Sequence, residues 1–395
     1  MKTEKKEQRS SLTEVATLFL RLGFTAFGGP AAHIAMMRRE VVERRQWVSD
    51  ERFLDLLSII NLIPGPNSTE LAIYLGYLRA GWPGLVIGGI CFIGPAMLIV
   101  LTLAWLYVHY GSLPQAAWLF YGIKPVVIAI IAQALWGLSR RVLKGVMPVI
   151  LALVVMACYL LGLNGLILLV AAGLLFGAMR WLGQQRKAHT LTAVLPFSLS
   201  SIREWWRTLA AIPSGFVLTV VPVSLTTLFL TFLKIGAILY GSGYVLLAFL
   251  RSDFVQGLGW LTDKQLLDAV AVGQFTPGPV FTTATFVGYL VEGWQGALLA
   301  TLAIFFPSFV FIAIIHPLAA TLRRSPWTSA ILDGVNIAAL ALMGGVMLQL
   351  GQSALIDPLT WIMALAAFVI LLRFQINSAW LILAGALVGV LRFWL

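Results

Sequence analysis

From residue 84 to residue 109 the chain carries no Lys, Arg, Asp or Glu, and the same is true from 295 to 316. An apolar run of about 20 residues spans a bilayer as a helix, since only a helix or a closed barrel satisfies every backbone group away from water. Runs from 115 to 138 and from 328 to 350, each with one charge, extend the pattern. Two shorter pairs, 145 to 161 with 164 to 180 and 359 to 372 with 377 to 394, are split by turns carrying Gly or Asn and read as helical hairpins. Only 11% of residues are charged, about half the usual share of a soluble domain. The longest polar stretch, Arg180 to about Arg207, is too short to fold as a separate domain. Neither strand-like alternation nor a secretory leader is read in the sequence, which argues against an outer-membrane barrel. The expected fold is an all-α polytopic membrane protein. The charged N-terminus leads into Arg21 and Gly28-Gly29-Pro30 rather than a small-residue cleavage site, so it reads as retained chain. Cys91 and Cys158 lie in separate apolar runs and support neither a disulfide nor a metal site.

The chain repeats itself. A shift of 213 lays Phe19-Leu20-Arg21-Leu22-Gly23 on Phe232-Leu233-Lys234-Ile235-Gly236, Trp47 on Trp260, Asp55 on Asp268, and Pro64-Gly65-Pro66 on Pro277-Gly278-Pro279. A shift of 212 then pairs Gly76-Tyr77-Leu78 with Gly288-Tyr289-Leu290, Gly81-Trp82 with Gly293-Trp294, and Pro95 with Pro307. Residues 12–181 and 225–395 are therefore two copies of one unit, joined by a polar linker over 182–224.

The net charge of +11 falls in loop clusters, which argues for topology rather than nucleic-acid binding. In the first copy Arg38 to Arg52, Arg140 to Lys144 and Arg180 to Arg207 mark cytoplasmic loops. The loops matching the first two keep Arg251 and Lys264, or no basic residue at all, whereas Arg323 and Arg324 appear where the first copy has none. A bias that swaps loop by loop predicts two homologous halves in inverted topology. It also requires 53 to 80 to enter and leave on one face, as a re-entrant hairpin broken at Pro64-Gly65-Pro66. The segment 12 to 37 either crosses or folds back at Gly28-Gly29-Pro30.

Proline removes a backbone donor and glycine weakens a helix, so Pro-Gly-Pro inside an apolar segment ends one helix and begins another. Paired breaks in duplicated halves point to a substrate site, and a helix N-terminus suits an anion. The first break is flanked by Asn61, Asn67 and Ser68, the second by Gln274 and Thr276; the plain alternative is a structural kink. Arg21 and Lys234 occupy equivalent apolar positions, each costing roughly 2.5–3.5 kcal/mol at mid-membrane. Either they serve the substrate or they pair with acids such as Glu14. Lys124, whose counterpart is Asn336, is a third such cation. Three cations converging on two helix N-termini would make an oxyanion pocket. Glu70, three residues after Asn67, either caps its helix or is a protonatable coupling group. Gly28-Gly29-Pro30 and Gly241-Ser242-Gly243 are further breaks, or sites of close helix packing. His33, His109, His189 and His316 lack metal spacing. Ser49-Asp50-Glu51 and Thr262 with Gln265 read as helix N-caps.

Phe27-Gly28-Gly29-Pro30, Trp47 ahead of Asp55, and Pro64-Gly65-Pro66, repeated as Tyr240-Gly241, Trp260 and Pro277-Gly278-Pro279, resemble the chromate ion transporter family in its long, two-domain form. The resemblance covers most of the chain. It implies a prokaryotic cytoplasmic-membrane protein that exports chromate and confers resistance, with sulfate as isosteric competitor and the proton motive force as drive. The substrate-binding set expected on both grounds is Arg21, Phe27, Gly28, Gly29, Asn61, Pro64, Gly65, Pro66, Asn67, Ser68, Lys124, Lys234, Gly241, Gln274, Thr276, Pro277, Gly278 and Pro279, with Glu70 for proton coupling. Because the second copy has no carboxylate matching Glu70, the first-half site carries more weight. No cofactor or metal is expected, the partners are the oxyanion and the lipid bilayer, and a homodimer is left open. Competing readings are a sulfate or other oxyanion transporter, an anion channel, and an integral membrane enzyme, which would need clustered acids or histidines that this chain lacks.

Overall fold

Each half opens with three helices that precede its first long apolar one. In the first half these are α1 (Lys2–Thr25), α2 (Gly29–Arg38, continued by a π-helical turn Arg39–Arg44) and α3 (Asp50–Ile60), followed by α4 (Asn67–Tyr110), α5 (Pro114–Val142), α6 (Val146–Leu160) and α7 (Gly165–Ala188). The second half repeats the order as α8 (Leu225–Ile238), α9 (Leu246–Leu250, continued by a π-helical turn Arg251–Gly257), α10 (Asp263–Phe275), α11 (Thr283–Leu322), α12 (Pro326–Ala354), α13 (Pro358–Phe374) and α14 (Ser378–Trp394). The computed structural model describes residues 2–61, 63–111, 113–188, 222–239, 243–322, 326–374 and 376–394, and no strand occurs among them. Local chemistry sets the starts: Ser49 Oγ accepts the Arg52 N–H at α3, and Thr262 and Gln265 form a reciprocal capping box at α10, as their spacing predicts.

α4 is two helices. At Ala80 (φ −141°, ψ 20°) and Gly81 (φ 64°, ψ −150°) the backbone leaves the helix, and Glu292–Gly293 of α11 repeats the same pair of angles. A side chain on Gly76 would strike the Gly84 carbonyl, and one on Gly88 the Ala72 carbonyl. The arms 67–79 and 82–110 thus run antiparallel with their backbones touching, which only glycine permits. At 1.5 Å per residue, α3 and the arm 67–79 reach only about 16 and 20 Å against a core of about 30 Å, whereas 82–110 reaches about 43 Å. The uncharged run from 84 to 109 is the crossing arm.

The start of the chain folds back rather than running straight. Arg21 Nη2 lies 3.1 Å from Glu40 Oε1, and the His33 ring meets the Ala26 carbonyl at 3.0 Å, so α1 and α2 form a V with its tip at 26–29. Glu14, Arg45, Trp47 and Arg79 gather at the open end, with Arg79 bonded to Glu14 and stacked over Trp47. Arg38 holds Asp50 there too, at 2.7 Å. Two V-shaped hairpins, α1–α2 and α3 with 67–79, therefore point their tips the same way.

The two halves interlock. The crossing arms of α4 and α11 run antiparallel, because Gly89 touches Phe309 while Tyr107 meets Phe286, whose neighbour Thr285 is bonded at 2.7 Å to Thr301 of the α11 crossing arm. α5 packs on α13 and α14 of the other half, and α12 reciprocally on α6 and α7. Gly122 faces Gly385 and Gly389 at one of these seams, and Gly173 faces Val335 at the other. The paired runs read as helical hairpins are joined by short turns, and each arm buries its apolar face mainly across the duplication.

Candidate functional site

Four helix breaks meet in reciprocal pairs. The Gly65 N–H donates to the Leu239 carbonyl at 2.7 Å, and the Gly278 N–H donates to the Ala26 carbonyl at 2.8 Å. Gly65 and Gly278 are equivalent residues, as are Ala26 and Leu239. Each Pro-Gly-Pro tip is thus held by the broken first helix of the opposite half. Both glycines require their identity, with φ of +135° and +91°. Pro64 and Pro66 flank Gly65, and Asn67 Nδ2 donates to Asn61 Oδ1 at 2.7 Å, closing the loop between the end of α3 and the start of α4. Pro277 and Pro279 flank Gly278, with Gln274 and Thr276 buried beside them. Gly28 and Gly29, at φ +106° and +77°, turn the α1–α2 tip, and Phe27 is half-buried there. Gly241 lies outside the described residues.

The two tips differ in chemistry. At the second, Thr276, Thr282 and Thr283 each return their hydroxyl to a backbone carbonyl of their own loop or helix. At the first, Ser68, Thr69 and Glu70 are buried, and the Thr69 hydroxyl and both Glu70 oxygens have no hydrogen-bond partner. Glu70 makes no capping bond, so that reading of its spacing falls. Its counterpart is Thr283, and the Ser308 hydroxyl beside it matches Ala96 at the second tip. His33, buried at the α1–α2 tip against Phe92, has Leu246 as its counterpart.

The three cations each have their own carboxylate. Arg21, 53% exposed, pairs with Glu40, 6% exposed, which also accepts from Arg44 at 2.7 Å. Lys234 pairs with Asp253 at 2.8 Å. Both pairs span 19 residues and are equivalent under the repeat. Burial works to raise the Glu40 carboxyl, but Arg21, Arg44 and Arg45 outweigh it and hold it below its ordinary value. Three guanidinium groups against one carboxylate leave this hairpin net positive. Lys124 lies 3.1 Å from Asp268, whose second oxygen accepts the Tyr107 hydroxyl at 2.9 Å. Only Lys234 of the three lines the small cleft formed with Asn164, Ser252, Asp253 and Leu342, where Asn164 caps the start of α7. Glu40, Asp253, Ser308 and His33 were absent from the sequence-derived set. The shift of 213 that pairs Arg21 with Lys234 also pairs Glu40 with Asp253, and would have found those two.

A family model described as chromate transporter matches residues 13–178 and 226–390, once in each half. A chromate transport protein of Cupriavidus metallidurans is 34% identical over 97% of this chain and 94% of its own length. A probable chromate transport protein of Synechococcus elongatus is 33% identical over 97% and 96%, and a chromate transport protein of Pseudomonas aeruginosa 32% over 97% and 93%. No solved structure matches the chain.

Proposed function

The chain belongs to the chromate transporter family, and on that premise we propose that it exports chromate across the cytoplasmic membrane under the proton motive force. It is a multi-pass membrane transporter rather than an enzyme. The observation that supports the site most directly is the reciprocal pairing of the tips, Gly65 to Leu239 and Gly278 to Ala26. Those bonds set the approach to α4 against the end of α8, and the second Pro-Gly-Pro against the turn into α2, which supports a site between the halves where irregular backbone is enclosed by protein. Free N–H groups at helix starts favour a dianion. In this reading Asn61, Asn67, Ser68 and Gln274 supply the neutral donors around the tips, while Thr276 gives its hydroxyl to the Val272 carbonyl. Arg21, Lys234 and Lys124 contribute field rather than direct ligation, since carboxylates already hold them. An inside-negative potential assists an anion's exit by about 2.3 kcal/mol per elementary charge per 100 mV, which favours export. Sulfate has the same charge and shape and is the expected competitor.

Inverted vesicles carrying the protein should accumulate labelled chromate on energisation, lose the accumulation with an uncoupler, and be inhibited by excess sulfate. Equal flux with and without the gradient would mean a channel and overturn the reading.

The antiparallel course of α4 and α11 supports insertion of the halves in opposite senses. Single cysteines within 38–52 and within 251–264 should react with an impermeant reagent from opposite faces of the membrane; reaction from one face for both would rule the inversion out.

A further inference from the structure

We infer that Glu70, enclosed with Thr69 and Ser308 beneath the first Pro-Gly-Pro tip, is the proton-binding site of the transport cycle, an inference that rests on the transport reading above. The Glu70 side chain is 0% exposed, and neither of its oxygens has a hydrogen-bond partner. The hydroxyls of Thr69 and Ser308 are buried and unbonded as well. A methyl built on Gly65 would fall on Glu70 Oε1 and Ser308 Oγ, so the carboxyl packs directly against the tip whose N–H reaches Leu239.

No countercharge is at hand. Around the tip, Arg21 of α1 is engaged by Glu40 and Lys234 of α8 by Asp253. Arg79, at the far end of the same arm, is bonded to Glu14. α3 contributes acids, Asp50, Glu51 and Asp55, and one base, Arg52, near its start. Within α11, Glu292 sits at the kink, a full arm from Ser308. His33 belongs to the other tip, bonded to Ala26. An ionised carboxyl buried without a partner is among the costliest groups a protein can hold, so in this conformation Glu70 carries its proton, with the Ser308 hydroxyl beside it.

Releasing that proton to water requires the tip to part from α11. It also places a negative charge next to the start of α4, where the substrate dianion is proposed to sit. Proton and dianion therefore favour each other's binding, and the pair crosses with one net negative charge, which the inside-negative potential drives outward. Glu70 takes its proton from water on one face and returns it to water on the other; no bond other than O–H is made or broken. The second half, with Thr283 and Ala96 in the matching places, has no such group.

The test uses the full-length protein in proteoliposomes. Wild type should bind chromate about tenfold more tightly near pH 6 than near pH 8, and should move protons with chromate. Glu70→Gln should hold the tighter affinity at both values, apart from the substrate's own titration, and exchange chromate without proton movement. Proton movement retained in Glu70→Gln, or an unchanged pH dependence, would overturn the assignment. If Glu70→Gln does not fold, Ser308→Ala, which keeps the carboxyl, should shift the pH midpoint of binding, and an unmoved midpoint would equally overturn it. Substrate-free protein should show the infrared carbonyl band of a protonated carboxyl at neutral pH, lost in Glu70→Gln. That band present without chromate transport would refute the transport reading and leave the proton site standing; its absence would remove the proton site whatever is transported.

Discussion

Gly278→Ala is expected to lower chromate transport by about a hundredfold at equal protein level, the consequence of a barrier or misfit of roughly 3 kcal/mol at the second tip. Three terms contribute. At φ +91° an L-residue costs about 1–2 kcal/mol in backbone strain. The new methyl would sit 2.8 Å from the Ala96 methyl and 3.3 Å from the Gly23 carbonyl, and both neighbours are fixed by helix packing. If the tip retreats to make room, the Gly278 N–H loses the Ala26 carbonyl, at about 1 kcal/mol more. Gly81→Ala separates strain from position. It shares the positive φ, at +64°, but its methyl meets nothing within 4 Å and it lies at the open end of the hairpin. It should reduce stability while leaving the transport rate per folded molecule within about twofold, since only strain of 1–3 kcal/mol is added there. Initial rates of labelled chromate uptake, normalised to folded protein, decide the matter: a Gly278→Ala rate near wild type would mean that the tip contact is dispensable.

Lys124→Met should destabilise the protein by about 3–5 kcal/mol, because it leaves Asp268 charged and enclosed. Asp268 is 1% exposed and Lys124 12%, and the Tyr107 hydroxyl alone then remains on the carboxylate. The ion pair itself does not have to stabilise the fold; desolvating both groups offsets most of their attraction. The expected signature is therefore rescue. Adding Asp268→Asn to Lys124→Met should recover most of the thermal stability in detergent, and a double variant no better than the single would show that Lys124 matters for another reason. The pair ties α5 of the first half to α10 of the second, so its loss should be felt across the duplication.

The crossing helices, the duplication and the breaks were legible in the sequence because each follows from local pattern: uncharged length, recurrence at a fixed shift, and the incapacity of Pro-Gly-Pro to remain helical. The loop charges implied a reversal between the re-entrant hairpin 53–80 and the crossing run from 84, but not its place at Ala80–Gly81. Gly and Pro are frequent in membrane helices, and only the approach of Gly76 to Gly84 shows that this glycine turns the chain rather than eases a contact. The partners of the cations were missed for a related reason. Arg21 was weighed against Glu14, close along the helix, whereas the fold-back of α2 brings Glu40 to it and hands Glu14 to Arg79. Ser308 became visible only in space, because it approaches Glu70 from the opposite half. The expected meeting of three cations is replaced by three separate ion pairs, and the positive character of the locus now rests on helix starts and on the arginines around Glu40.

The exchange of closing helices between the repeats bears on how the chain matures. While the ribosome is still making residues 222–394, α5, α6 and α7 are in the bilayer without α12, α13 and α14, the surfaces they finally cover. Glycine faces such as those at Gly122 and Gly173 stay open against lipid until their mates arrive. The first repeat thus cannot mature as an independent unit ahead of the second, as sequential domains usually do. Assembly waits for the last helix, and a nascent chain halted midway would be left with its seams bare to lipid and to quality-control proteases.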